Sequence, residues 1–302
     1  MVYALGEILL DVITDKEIPR KEYLIHGHAG GAMLNAAVSL TRSDVNTALV
    51  SEIGDDDIGR FLLAFLHKDT IDTQFIRQYH NHLTSVALAR LDAQKKPTYT
   101  FQKRYPLQRK LIIPKAFYPS DILIFGSLYA LDPAIRTEIS KITQKAVRAG
   151  SLILYDPNIR LAQQLSDKER KKALFENLTL ATIIKGSDED FNAIFGQGTP
   201  QDHISSLQEI NPEAVIFFTM GDRGALAVCK NQIITKPVRK IEVVSTIGAG
   251  DGFNAGIAAY IVQNKLSEKE LPHHLKSLLD TGITFSAAVC QSKYNYIPQN
   301  NL

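Results

Sequence analysis

The chain has 302 residues, 45% of them apolar, and its 34 basic and 32 acidic side chains leave a formal net charge of +2. That is enough apolar material for a full core in one large α/β domain or two small ones. The even charge balance gives no footprint for nucleic acid or an anionic membrane, so small-molecule partners are expected. Cys229 and Cys290 lie far apart and read as core thiols in a reducing compartment. No apolar stretch reaches the length of a membrane span and no basic cluster precedes an apolar run near Met1, so a cytoplasmic protein is expected.

In chain order, Val2 to Ile13 is an apolar run that reads as a central strand with Asp11 where it leaves the sheet, the place where open α/β sheets meet their ligands. The polar stretch Thr14 to His28 is long for a tight connection and reads as a flap. Gly30-Gly31 opens a helix expected over Ala32 to Leu40. A glycine pair there lets backbone approach a ligand, and Asn35 on its first turns can both donate and accept, as sugar hydroxyls require. Asp55 to Asp57 lacks the alternating spacing of a calcium loop and reads as a turn and N-cap before a helix over Ile58 to Leu66. Thr84 to Leu91 and Thr98 to Arg104 read as a hairpin joined by Asp92 to Pro97, with Arg104 at its end.

From Ser120 the rhythm becomes regular: strand Ile122 to Phe125, Asp132-Pro133 as the start of a helix over Ile135 to Ala149, and strand Leu152 to Tyr155. A charged helix over Lys168 to Asn177, strand Ala181 to Lys185, helix Phe191 to Phe195 and strand Val215 to Thr219 follow, then helical sequence over Glu268 to Val289. Alternation of this kind implies a parallel sheet covered by helices. The eight histidines include His26-x-His28, His80-x-His82 and His273-His274, none at a recognised zinc spacing, so no histidine-based metal site is expected.

The most informative stretch is Ile241 to Ala259. Its β-branched start predicts a strand, Gly248 and Gly250 a turn, and the recurrence of Phe253, Ile257, Tyr260 and Ile261 a helix. Glycines at a helix start can turn their amides toward an anion, yet Asp251 in the same turn would repel a phosphate merely being held. The conflict resolves if Asp251 takes a proton from a nucleophile attacking that phosphate, which makes Asp251 a general base and Gly248, Ala249 and Gly250 an anion hole. A Walker loop is excluded because Asp251-Gly252 stands where Lys-Ser or Lys-Thr is needed. Gly250, Gly252 and Ala255 match a dinucleotide pattern, but no strand ending in an acidic residue follows about twenty positions on.

Ser245-Thr246-Ile247-Gly248-Ala249-Gly250-Asp251 resembles the C-terminal signature of the PfkB, or ribokinase-like, family of carbohydrate kinases, Asp-Thr-x-Gly-Ala-Gly-Asp, with Ser245 replacing the first Asp. Gly30-Gly31 and Asn35, continuing through Ile53 to Gly59, resemble its N-terminal signature. Asp156-Pro157-Asn158-Ile159-Arg160 matches Asp-x-Asn-x-Arg. Ser187 and Asp190 occupy the Asn-x-x-Glu element, and Met220 to Ala225 resembles the nucleotide-side loop.

The resemblance implies a single ribokinase-like catalytic domain over 1–302. Its fold would be a three-layer α/β/α domain with a mostly parallel central sheet and a small β-sheet lid built from about 14–28 and 84–104. It implies an ATP-dependent kinase using Mg2+, in which Asp251 is the base, Gly248 to Gly250 the anion hole, and Asp11, Gly30, Gly31, Asn35, Arg104 and Arg160 contact the sugar. Ser187, Thr219, Gly221, Gly224, Gly248 and Gly250 would meet the nucleotide, and Asp190 the metal indirectly. In several members the Asp at the place of Ser245 helps bind a monovalent cation. Gly6 to Asp11 and Gly126-Ser127 resemble the fructokinase branch, so fructose to fructose 6-phosphate is the leading expectation. The alternatives are 2-keto-3-deoxygluconate, whose carboxylate Arg104 or Arg160 could pair, and a sugar-binding regulator without activity. The lid sheet offers an edge for a homodimer.

Overall fold

The structure, a computed structural model, describes residues 1–14, 26–91, 97–159, 161–238 and 240–299. Its strands are β1 (Val2–Leu5), β2 (Leu9–Thr14), β3 (His26–Gly30), β4 (Thr47–Gly54), β5 (Ile76–Tyr79), β6 (Val86–Leu91), β7 (Pro97–Gln102), β8 (Ile122–Gly126), β9 (Leu152–Asp156), β10 (Ile183–Ser187), β11 (Val215–Thr219), β12 (Ala225–Cys229) and β13 (Gln232–Lys236). The α-helices are α1 (Ala32–Thr41), α2 (Asp57–Lys68), α3 (Arg136–Arg148), α4 (Lys168–Leu180), α5 (Asp188–Phe195), α6 (Pro200–Ile210), α7 (Ala249–Gln263) and α8 (Leu275–Cys290).

Nine strands form one sheet in the order β13-β12-β11-β10-β9-β8-β1-β4-β5, parallel except for β12 and β13. Side chains alternate across it. Val2, Ile122, Leu154 and Phe217 face a core shared with α1, α2, α7 and α8, while Tyr3, Phe125, Tyr155 and Phe218 face a second core shared with α3, α4, α5 and α6. Both faces are covered, which is why these strands read as continuous apolar runs. A second, four-stranded sheet of order β3-β2-β6-β7 forms the lid.

Strand order reverses at β1, which has β4 on one side and β8 on the other. That switch point is where a crevice opens beyond the carboxyl ends of the strands. Here the run Val2 to Ile13 is not one strand. It breaks at Gly6, whose carbonyl accepts from Ser51 Oγ at 2.6 Å, and re-forms as β2, whose Leu10 amide donates to the Ser85 carbonyl at 3.1 Å. Asp11 therefore stands on the lid sheet rather than at the end of a central strand, and the lid begins at Leu9 rather than near Thr14. The hairpin of β6 and β7 is present; residues 92–96 of its expected turn and 15–25 of the expected flap lie outside the described residues.

Two further expectations change. Ile241 to Val244 forms no strand: Val243 and Val244 are exposed, and the Val244 amide donates to the Cys290 carbonyl at 2.8 Å rather than to a neighbouring strand. Asp132 does not cap α3, which starts at Arg136; its Oδ1 takes the Ala134 amide at 3.1 Å and its Oδ2 takes Arg109 at 2.7 Å.

Helix α7 is apolar on nearly every side and is buried between α1 and α8. A Cβ on Gly252 or Gly256 would come within 2.7 Å of Val289 Cγ2 or the Thr281 carbonyl, so these two glycines let α8 pack close. Phe253, wholly buried against Phe217 at 6.0 Å between ring centroids, anchors the helix to the sheet. Truncating it to Ala would cost about 3–5 kcal/mol.

Candidate active site

The carboxyl ends of the strands around the switch point collect side chains from both ends of the sequence. Gly248 takes φ +80°, a left-handed conformation that turns the chain into α7, and a Cβ there would run into the carbonyl of Asn295. Gly250 lies in the first turn of α7 with ordinary dihedrals, so its lack of a side chain has another reason. A Cβ would stand 2.8 Å from Lys185 Nζ. The start of α7 thus presents the positive end of the helix dipole, with a buried ammonium against Gly250, while the Ala249 amide donates to the Thr246 carbonyl at 3.3 Å.

Asp251, buried on the same turn, accepts a hydrogen bond from Asn35 Nδ2 at 2.8 Å. The expected base and one expected sugar contact, 216 positions apart, are thereby joined. The Asn35 Oδ1 is buried and has no partner among the described residues. An acceptor left bare in a buried place is costly unless something donates to it, and a ligand hydroxyl would.

Asp11 lies beside this pair. Its Oδ2 accepts from Asn295 Nδ2 at 3.1 Å, and its carboxylate packs so closely on Gly30 that a Cβ there would collide with it. Burial first, then the nearby charges of Asp251 and Glu7, push the Asp11 carboxyl up to about 7, against the pull of the Asn295 hydrogen bond. Gly31, with φ +111° at the start of α1, lets the helix seat against the Glu7 carbonyl. Asp11, Gly30, Gly31, Asn35 and Asp251 therefore surround one place. The Glu7 carboxylate takes the Tyr105 hydroxyl, and burial pushes Glu7 up while Lys103, Tyr105 and Arg109 oppose the shift.

On the other side of Asp251 lies a second buried group. Asp156, at the end of β9, accepts from Lys185 Nζ at 2.9 Å and from Asn254 Nδ2 at 2.7 Å, all on one oxygen. Burial alone would depress the Lys185 ammonium, but Asp156, Asp190 and Asp251 outweigh it and hold the ammonium above its usual range. Asp190 Oδ2 accepts both the Ser187 amide, at 2.7 Å, and the Ser187 hydroxyl, at 2.6 Å, closing a capping box on α5. Burial and then Asp156 push its carboxyl up to about 6. Thr219 Oγ1 donates to the Gly186 carbonyl at 3.4 Å, and Gly221 and Gly224, both at positive φ, flank the turn that follows β11. Ser187, Thr219, Gly221 and Gly224 thus line the neighbouring ends of β10 and β11.

One expected sugar contact stands apart. Arg104, just past the end of β7, is exposed, and its guanidinium donates to Gln102 at 3.1 Å. Arg160 lies outside the described residues. Sequence reasoning did not nominate Lys185, Asn254, Asn295 or the Glu7–Tyr105 pair. Lys185 carried a usable signal, a lysine near the exit of an otherwise apolar strand, whereas Asn295 carried none.

Among the described residues no group of three or more His, Cys, Asp or Glu could cage a metal, and no helix is long and apolar enough to cross a membrane. Mg2+ keeps most of its water and needs only one or two carboxylates from a protein, and Asp190, buried at the start of α5 near the end of β10, is the carboxylate expected to serve it.

A model of the pfkB family of carbohydrate kinases matches residues 1–301. A fructokinase of Klebsiella pneumoniae is 29% identical over 269 residues, 85% of this chain and 83% of the relative. Among solved structures, aminoimidazole riboside kinase from Salmonella enterica, with aminoimidazole riboside and an ATP analogue, superposes with TM-score 0.83 at 22% identity, covering 97% of this chain and 94% of that one. Fructokinase from Vibrio cholerae O395, with fructose, ADP and a calcium ion, does so with TM-score 0.83 at 20% identity and the same coverage.

Proposed function

Because this chain belongs to the pfkB family of carbohydrate kinases, and so is an ATP-dependent sugar kinase, we propose that it phosphorylates fructose on its primary 6-hydroxyl to fructose 6-phosphate. The observation that carries the site assignment is the 2.8 Å hydrogen bond from Asn35 to Asp251. It fixes a carboxylate beside a bare amide oxygen, which is the pairing needed to hold an alcohol and remove its proton.

Asp251 accepts the proton of the attacking hydroxyl, contributing on the order of 10²- to 10⁴-fold. Asp11, Gly30, Gly31 and Asn35 orient the sugar; Arg104 and Arg160 remain assigned to the sugar. The amides of Gly248, Ala249 and Gly250 meet the charge that develops on the transferred phosphoryl group, each well-placed donor being worth about 3 kcal/mol. Lys185 adds a fixed positive charge at Gly250. Ser187, Thr219, Gly221 and Gly224 take the nucleotide. Mg2+ would neutralise charge on the ATP phosphates, and Asp190 is the residue that would help hold it. The lid sheet covers the acceptor and keeps water from competing with it, and its edge is the surface assigned to a homodimer, which sedimentation tests. The whole chain, 1–302, is one catalytic domain in this reading.

A neutral sugar is favoured over 2-keto-3-deoxygluconate by charge. Glu7, Asp11 and Asp251 act on one another at the acceptor side, and the nearby Arg109 is consumed by Glu52 and Asp132. A substrate carboxylate would enter among like charges, and Arg104, the described arginine expected to pair it, is exposed and turned to Gln102 instead. The Klebsiella relative is a fructokinase and the Vibrio enzyme holds fructose, and both point the same way. A panel of sugars with coupled ADP detection is the test. Fructose should give the highest kcat/KM, and a preference for the keto acid would retire it.

A further inference from the structure

Asn295 belongs to a short turn near the C-terminal end of the chain, after α8, yet it touches the two halves of the reaction centre at once. Its side-chain amide donates to Asp11 at 3.1 Å, across 284 positions, and its main-chain carbonyl is the atom against which the left-handed Gly248 packs. Asn295 is itself buried, and its turn is pinned on both sides. Ile297 donates its amide to Ser39 Oγ at 3.2 Å and gives its carbonyl to Arg42 Nη1 at 2.7 Å, both on or next to α1. The Arg42 guanidinium also covers the Tyr296 ring at 4.8 Å, and Tyr296 stacks with Tyr294 at 5.8 Å. Tyr294 in turn meets His28 of the lid strand β3 at 6.2 Å.

Resting on the sugar-kinase reading above, we infer that Asn295 is a positioning residue that fixes the sugar-binding carboxylate of Asp11 relative to the anion hole at Gly248. The chemistry requires such a link. In-line transfer is sensitive to displacements of about 1 Å, which cost about 10²-fold, and Asp11 rides on a lid sheet whereas Gly248 rides on the main domain. One buried residue, hydrogen-bonded to Asp11 and packed against Gly248, couples lid to hole. An asparagine suits the task because it donates to a carboxylate without carrying charge. Asp11 Oδ2 is engaged by Asn295, while Oδ1 has no donor among the described residues and is left to take a sugar hydroxyl.

The same contact opposes the burial and like charges that push the Asp11 carboxyl up. Facing it are Asp251 from α7, Glu7 from the segment after β1 and His28 opposite it on β3, and of the forces on it Asn295 is the one that favours ionisation. Removing the amide should therefore move the acid limb of kcat/KM for the sugar to higher pH. An aspartate put in place of Asn295 can donate only while it shares a proton with Asp11, so its defect should have the opposite pH sign.

The experiment compares wild type, Asn295→Ala and Asn295→Asp with ATP and fructose, or whichever panel sugar the wild type phosphorylates, across about pH 5.5 to 8.5, with Tm measured alongside. For N295A the KM for sugar should rise about ten-fold, the loss of one hydrogen bond to a charged group, with the KM for ATP within about two-fold and the acid limb displaced upward. For N295D the defect should be largest at the alkaline end of that range and shrink as pH falls. If N295A fails to fold, the nearly isosteric N295D carries the test alone through its pH sign. An active wild type whose variants keep their sugar KM, weaken sugar and ATP in parallel, or only lose Tm overturns this inference and leaves the kinase reading standing. A wild type that forms no ADP with any sugar overturns both.

Discussion

Glu52 and Asp11 are both buried carboxylates near Glu7, and their charges are met in opposite ways, although Glu52 Oε2 has no partner among the described residues. Glu52, on β4, accepts from Arg109 Nε at 2.9 Å, from the Arg109 Nη2 and from the Tyr129 hydroxyl at 2.9 Å, while the guanidinium lies 3.9 Å from the Tyr105 ring centroid and its other arm holds Asp132. Asp11 has one neutral amide and two negative neighbours. A carboxylate matched by a cation is part of the scaffold, and its charge is cancelled. A carboxylate left among like charges destabilises the fold, and that residual demand for donors is what binds hydroxyl groups. Asp156 falls between: its cation, Lys185, is shared with the phosphate side.

The contrast can be broken most severely at Arg109. Arg109→Met leaves the Glu52 charge buried and unpaired, which should cost about 3–5 kcal/mol in denaturant unfolding. Glu52→Gln combined with R109M should recover much of it. A loss below about 1 kcal/mol in the single variant would mean that Glu52 is not a scaffold charge.

Gly250→Ala sharpens the other side. The added methyl meets only the tip of the Lys185 side chain, so folding should change little, but the ammonium must leave the anion hole and kcat should fall about 10²-fold. Gly248→Ala, by contrast, meets the Asn295 backbone at φ +80° and should lose stability as well as activity. Equal Tm losses in the two variants would remove the distinction between an anion-hole glycine and a structural one.

The smallest effect is in pH. Asp11 is raised in the folded state to about 7 and Asp190 to about 6, whereas the unfolded chain titrates near about 4. Between those values the folded state binds more protons, so stability is highest on the acid side of the window and is lost as pH rises through about 7. The unliganded protein should therefore gain a few degrees of Tm between about pH 7.5 and about pH 5, since about 1 kcal/mol corresponds to about 2–4 °C in a chain of this size or somewhat smaller. Asp11→Asn should flatten most of that slope and Glu52→Gln should not. An unchanged slope in D11N would contradict the unbalanced burial of Asp11.

Much of this was legible in the sequence because it is local. The α1 and α7 starts, the hairpin of β6 and β7, and the placing of Asp251 beside Gly248 follow from glycine positions and apolar spacing over windows of a dozen residues. Val2 to Ile13 misled because an apolar run does not say which of two sheets its halves join, and the break at Gly6 is set by Ser51 and Ser85, far along the chain. Ile241 to Val244 misled because β-branched residues favour extended backbone whether or not a neighbouring strand exists. The donors that complete the site were invisible for a related reason. Asn35 with Asp251, Asn254 with Asp156 and Asn295 with Asp11 are pairs made by topology alone, and an asparagine far from its partner has no periodicity to betray it.

The central claim is that Asp251 removes a proton and does not merely hold the fold or the sugar. Asp251→Asn keeps the size and the neighbourhood of Asn35 but cannot accept that proton, so the direct test measures its turnover with ATP and fructose beside its fructose affinity by calorimetry. Turnover should drop by about 10²- to 10⁴-fold while fructose binding stays within a few-fold of wild type; a variant that keeps its turnover, or loses binding and turnover together, contradicts the account.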